Sequence, residues 1–124
     1  MNVSTLTALA LVAGTGSLAL SPVKGQEAVP AAQVRAINLA RNTAVAENGG
    51  LSIYRPQPCM LETSSGGGDC LLQNDPSGYT FQFLGGAPGW PEDGSDATTE
   101  TEIQISPDGR TVDSILYNLS LIHI

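Results

Sequence analysis

Basic residues are scarce in this chain: one lysine, Lys24, and four arginines stand against twelve acids, for a formal net charge of −7 over 124 residues. A nucleic acid or an anionic membrane surface is held by clustered positive charge, so neither is an expected partner. Histidine occurs once, at His123, and cysteine twice, at Cys59 and Cys70. Two cysteines leave a zinc ion short of two ligands, and no Ser/Lys or Cys/His pair is at hand for nucleophilic catalysis. Gly-x-Ser-x-Gly is missing as well. The sequence therefore names no catalytic residue, no metal ligand and no cofactor site. Long apolar runs are absent too, apart from Leu6 to Leu20, which is short for a membrane span and is broken by Gly14, Thr15 and Gly16. Val23 and Gly25 then stand three and one positions before Gln26, so residues 1–25 read as a secretory signal peptide. The n-region lacks Lys and Arg, and an uncleaved anchor is the competing reading.

What is present is strand pattern. Tyr79-Thr-Phe-Gln-Phe-Leu84 and Thr98-Thr-Glu-Thr-Glu-Ile-Gln-Ile105 alternate apolar and polar side chains, which is the period of a half-buried strand. Tyr79, Phe81 and Phe83 share one face, and Ile103 and Ile105 lie opposite Glu100, Glu102 and Gln104. Pro107-Asp-Gly109 is a strong turn signal leading into a third strand, Arg110 to Tyr117. The apolar residues of that strand leave its register ambiguous and permit a bulge near Asp113 or Ser114. Upstream, Pro30 to Glu47 is Ala-rich, begins with proline and stops at Asn48-Gly49-Gly50, which predicts a helix. Its expected packing stripe is Val34, Ile37, Ala40, Arg41 and Ala44. Leu51 to Pro56 reads as a short strand ended, or held at an edge, by Pro56 and Pro58.

The chain end carries its own signal. Leu119-Ser-Leu-Ile-His-Ile124 is one frame of translation of a widely used transposase sequencing adapter. Residues 119–124 are therefore expected to be adapter-derived, with the natural chain continuing past Asn118. On that reading His123 is not native, and the glycosylation signal Asn118-Leu119-Ser120 is made by the junction. The alternative is a natural apolar strand tail.

Residues 26–118 then form a single small domain with four arginines against twelve acids, a net charge of −8. It has no lysine for amine chemistry. In a chain that reads as exported, two cysteines flanking a Gly-rich stretch read as one disulfide, Cys59 to Cys70. Ser64-Ser-Gly-Gly-Gly68 lacks the Lys-Ser/Thr ending of a phosphate loop and is expected to be a flexible loop closed by that bridge. Asp69, Asp75, Glu92, Asp93 and Asp96 lack the spacing of an EF-hand, and Glu100 with Glu102 reads as a solvated face. The long loop Gly85 to Asp96 carries the single tryptophan. Trp90 either folds back over the open end of the core or, with Tyr54 or Tyr79, forms an interaction surface.

A helix, a short strand, then Gly78-Tyr-Thr-Phe-Gln-Phe83 and Thr101-Glu-Ile-Gln-Ile-Ser-Pro-Asp-Gly-Arg-Thr-Val112 is similar in order to PepSY-type domains. The same order resembles cystatin-type folds, although the Gln-x-Val-x-Gly loop of cystatins is absent. Asn48-Gly-Gly-Leu-x-x-Tyr-Arg55 and Gly85-Gly-x-Pro-Gly89 also look like small exported proteins of cyanobacterial type with no known role. The PepSY likeness implies an inhibitory or regulatory partner of secreted peptidases. The expected architecture is α+β, with one N-terminal helix packed on a three- to four-stranded antiparallel sheet. The expected role is that of a non-catalytic interaction or regulatory module of the cell envelope. It would be monomeric, periplasmic or extracellular, and partnered if at all by another exported protein. The alternatives are a small structural or stress-related exported protein without a ligand, and an enzyme cut off before its essential residues.

Overall fold

The computed structural model describes residues 28–122. The expected leader and His123 lie outside them. The first described element is the helix α1 (Ala31–Glu47), followed by strands β1 (Arg55–Pro56), β2 (Leu71–Asp75), β3 (Gly78–Gly86), β4 (Thr99–Ile105) and β5 (Val112–Ser120). The α+β architecture holds, and all strand pairs are antiparallel. The sheet has five strands, one more than the largest number expected. The additional strand is β2, whose Leu-Leu-Gln-Asn-Asp sequence has neither alternation nor β-propensity. Pairing with β3 places it there, a tertiary effect that local preference does not carry.

Pro30 is the N-cap of α1, one position before the first-turn site that proline prefers. Pro30 has φ −57° and ψ 146°, outside the helix, while its carbonyl accepts the N–H groups of Gln33 and Val34. At the other end Asn48 Nδ2 donates to Ala44 O at 2.8 Å, and Gly50 N–H returns to Val45 O. The buried face is Gln33, Ala36, Ile37, Ala40 and Ala44. Relative to the expected stripe it is rotated toward Gln33 and Ala36, leaving Val34 and Arg41 half-buried. Two contacts account for the rotation. Gln33 Nε2 finds a buried acceptor in Gly66 O at 2.9 Å. The turn at Gly109 comes so close to α1 that a Cβ there would lie 3.0 Å from Ala36 N and closer still to Ala32 O.

β3 is the hub. It pairs with β4 from Tyr79 opposite Ile105 to Gly85 opposite Thr99. On its other side β2 covers Gly78 to Phe81, and β1 covers only Gly85 and Gly86. Gln57 closes the gap between them. Its N–H donates to Leu84 O at 2.8 Å, and its side-chain Oε1 accepts Leu84 N–H at 2.9 Å. The strand expected over Leu51 to Pro56 shrinks to Arg55–Pro56, because residues 51–53 form a turn in which Tyr54 N–H closes back on Gly50 O.

β5 forms the other edge of the sheet, beside β4. A bulge lies at Asp113, where the ambiguous register permitted one, since Gln104 and Ile105 face Ser114 and Val112, with Asp113 between. A second bulge lies at Leu116. The strand runs through Leu119 and Ser120, which sit opposite Glu100 and Thr99.

The core lies between α1 and one face of the sheet. Phe81, Phe83, Ile103, Ile105, Ile37 and Met60 are its largest fully buried side chains. Met60 comes from the Cys-bounded loop, which is not loose. Cys59 and Cys70 are joined, with Cα atoms 5.8 Å apart, and the loop folds into three short 3-10 turns. Gly66 and Gly67 are buried, and a Cβ at Gly67 would lie 3.1 Å from the Phe81 ring. The flexibility expected of Ser64 to Gly68 is thus replaced by packing.

Candidate functional site

The end of the sheet at Gly85 and Gly86 is where the aromatic side chains meet the surface. Successive residues of a strand point to opposite faces. A Cβ on Gly85 would lie 2.6 Å from Tyr54 Cζ, and one on Gly86 would lie 2.6 Å from Trp90 Cγ. Two adjacent glycines therefore let Tyr54 and Trp90 lie flat on opposite faces of one strand end. Tyr79 is not part of this group. It sits at the far end of β3 opposite Ile105, with its ring 6.5 Å from that of Phe81. All three rings are buried, Trp90 at 8% exposed and the others less. They do not make the shared aromatic surface that the sequence allowed. Trp90 instead folds over the open end of the sheet, and the turn that carries it is held by Trp90 N–H to Ala87 O at 2.9 Å.

What Trp90 does supply is one wall of a groove of about 220 Å³. Leu51 and Arg55 reach it from the segment after α1, Pro58 and Leu61 from the disulfide-bounded turn, and Pro91 and Glu92 from the Trp90 loop. The lining is mostly apolar, with one cation and one anion among it. Leu51 and Leu61 are 55% and 60% exposed. Both were passed over in the sequence, because an isolated leucine beside a turn carries no pattern.

On the face away from α1 lies a second, polar cleft of about 300 Å³, lined by Gln57, Asp69, Gln82 and Glu100 among others. Here Glu100 and Glu102 are half-buried and held by neighbours, more ordered than the solvated face expected. Tyr117 Oη donates to Glu100 Oε2 at 2.7 Å, and Gln82 Nε2 reaches Tyr117 Oη at 2.8 Å and Glu102 Oε1 at 3.2 Å. Donation to Glu100 pushes the Tyr117 phenol up. The phenol is thus a proton donor to a carboxylate, an arrangement that orders this face.

On the core side Tyr54 Oη and Thr99 Oγ1 are buried without a hydrogen-bond partner. Burial pushes the Tyr54 phenol up; the hydroxyls of Thr99 and Thr101 lie near enough to offset part of the rise without closing a bond. Thr101 Oγ1 instead donates to Asn118 Oδ1 at 2.6 Å. Asn118 and Asn48 exchange reciprocal amide bonds at 3.2 Å, tying the end of α1 to β5. Among the described residues no three His, Cys, Asp or Glu side chains converge as metal ligands, and no helix is long and apolar enough to cross a membrane. Compared with protein-family models, with curated proteins and with solved structures, the chain gives no match.

Proposed function

We propose that this chain is a non-catalytic interaction module of the exported space, and that it holds an apolar segment of another exported protein in the groove beside Trp90. One observation carries the reading: Leu51 and Leu61, each more than half exposed, flank a concave apolar lining instead of being scattered singly. The groove walls come from three segments fixed by a disulfide, by β1 pairing and by the Gly86–Trp90 contact, so they are positioned before a partner arrives. The disulfide and the acidic composition support an oxidising, exported setting. A regulatory role toward a secreted partner is what the PepSY resemblance of the sequence implies.

Trp90 is the single tryptophan, so its emission reports on the groove alone. Titration with a panel of short Leu- and Pro-containing peptides is expected to shift that emission saturably, and Leu61→Asp, an exposed position, is expected to abolish the shift without unfolding the protein. If no peptide moves the emission of the folded chain, the groove is not a recognition site, and a structural protein without a ligand becomes the better reading.

A further inference from the structure

We propose that the polar cleft on the face away from α1 is a sugar site, and that it takes one neutral sugar ring with adjacent free hydroxyls. It does not depend on the groove beside Trp90. That groove is lined mostly by apolar side chains and the cleft mostly by amides and carboxylates, and only the segment from Arg55 to Pro58 contributes to both.

The hydrogen bonds already made around the cleft decide what is left for a ligand. Gln57 Oε1 accepts Leu84 N–H at 2.9 Å, which orients the amide and leaves both Nε2 hydrogens without an acceptor among the described residues. Gln82 is turned the other way. Its Nε2 is taken up by Glu102 Oε1 and Tyr117 Oη, so its Oε1 is the free end. Both orientations are set by groups whose own roles are fixed, a backbone N–H for Gln57 and a carboxylate for Gln82. Glu100 accepts the Tyr117 hydroxyl through Oε2 at 2.7 Å and keeps Oε1. Asp69 is exposed and presents its whole carboxylate. The cleft therefore offers a donor pair from Gln57 and acceptors from Gln82, Glu100 and Asp69, beside the half-buried Leu84 side chain.

That mixture selects among ligand classes. An anion is repelled by Glu100 and Asp69. An ammonium or guanidinium ion brings donors only, and it would leave the Gln57 N–H groups covered and unpaired. A metal ion would meet the same hydrogens, and among the described residues no three acidic, His or Cys side chains converge on one point. A sugar satisfies all four side chains, because each hydroxyl both donates and accepts. Two adjacent hydroxyls also match the paired oxygens of a carboxylate, and the carbon face of the ring covers Leu84. At about 300 Å³ the cleft stands at the small end of ligand pockets. It holds one ring, and a dissociation constant on the order of millimolar is expected.

The test is an NMR titration of the isotope-labelled full chain with glucose, galactose, mannose and N-acetylglucosamine, each to about 100 mM. At least one sugar is expected to move the Leu84 amide and the Gln57 side-chain signals saturably, whereas cyclohexanol, a ring with a single hydroxyl, does not. Gln57→Glu keeps the oxygen that accepts Leu84 N–H and removes the donors, so it is expected to raise the dissociation constant about five-fold or more. Asp69→Ala, at an exposed position where folding is not at stake, is expected to raise it about three-fold. Leu61→Asp is expected to leave the sugar titration unchanged, which separates failure of the cleft from failure of the groove. No saturable shift with any of the four sugars, equal binding of cyclohexanol, or a sugar shift that neither cleft variant weakens overturns the proposal. So does binding of methylguanidinium or putrescine in place of a sugar, strengthened by Gln57→Glu, which makes the cleft a cation site.

Discussion

Gly109 and Asn118 show how much of this fold is decided one residue at a time. Gly109 has φ +76°, and a Cβ there would meet backbone atoms of α1 that cannot rotate away. Gly109→Ala is expected to cost about 2–3 kcal/mol, from the left-handed conformation together with separation of the turn from the helix. Urea unfolding against the parent chain measures it. Asn118 matters for a different reason: its carboxamide accepts from Thr101 and exchanges bonds with Asn48. Asn118→Ala leaves the Thr101 hydroxyl and the Asn48 amide without their partner and is expected to cost about 1–2 kcal/mol in the same assay. Such roles are hidden in a sequence. Glycine after Pro-Asp announces a turn, but nothing in the local residues says that a helix passes across it.

The elements divide by whether their signal is local. β3 and β4 were legible because Tyr79, Phe81, Phe83, Ile103 and Ile105 alternate, and alternation follows from the strand itself. α1 was legible from its alanines and its glycine stop, although not the rotation of its buried face, which depends on Gly66 and Gly109 far along the chain. β2 was illegible because it is a strand by virtue of its neighbour. The groove was illegible for the same reason, since Leu51, Leu61 and Trp90 come from three separated segments. The Cys-bounded turn combines both kinds. Its disulfide could be anticipated, while the burial of Met60 and the close approach of Gly67 to Phe81 could not. With 11 residues of separation, replacing both cysteines by alanine is expected to cost about 3 kcal/mol by the loop-closure argument. Because Met60 and Gly67 keep the turn docked in the native state, denaturant unfolding of that variant should remain a single cooperative transition at a lower midpoint.

At the scale of the whole molecule, three turns share a device that sets the response to acid. Asp75, Asp93 and Asp108 each accept the backbone N–H two residues ahead and a nearby serine hydroxyl. The hydroxyl of Ser77, Ser95 or Ser106 is the foremost reason that each carboxyl sits below its ordinary value, with backbone donation adding to it. A lowered folded-state value means that the stabilisation is present above the ordinary carboxylate range and is lost as pH falls through the lowered values. Tyr54 bounds the other side. Its phenol is raised by burial, so its contribution is intact below about pH 10 and is lost as pH rises through the raised value. Thermal midpoints are therefore expected to be level between about pH 5 and about pH 9 and to fall outside that window. Tyr54→Phe is expected to weaken the alkaline fall and leave the acid one in place.

Gln57 has a kinetic consequence. In the middle of the most buried strand, the Leu84 amide is secured by a side-chain oxygen where its neighbours are secured by backbone. A side chain changes rotamer in nanoseconds without disturbing the sheet, whereas releasing a ladder bond requires two strands to part. In deuterated water the Leu84 amide should thus exchange far sooner than that of Phe81 or Phe83. Gln57→Ala should speed it further while leaving those two almost unchanged. The central strand is continuous in space, yet it carries one amide whose protection is set by a side chain's rotation.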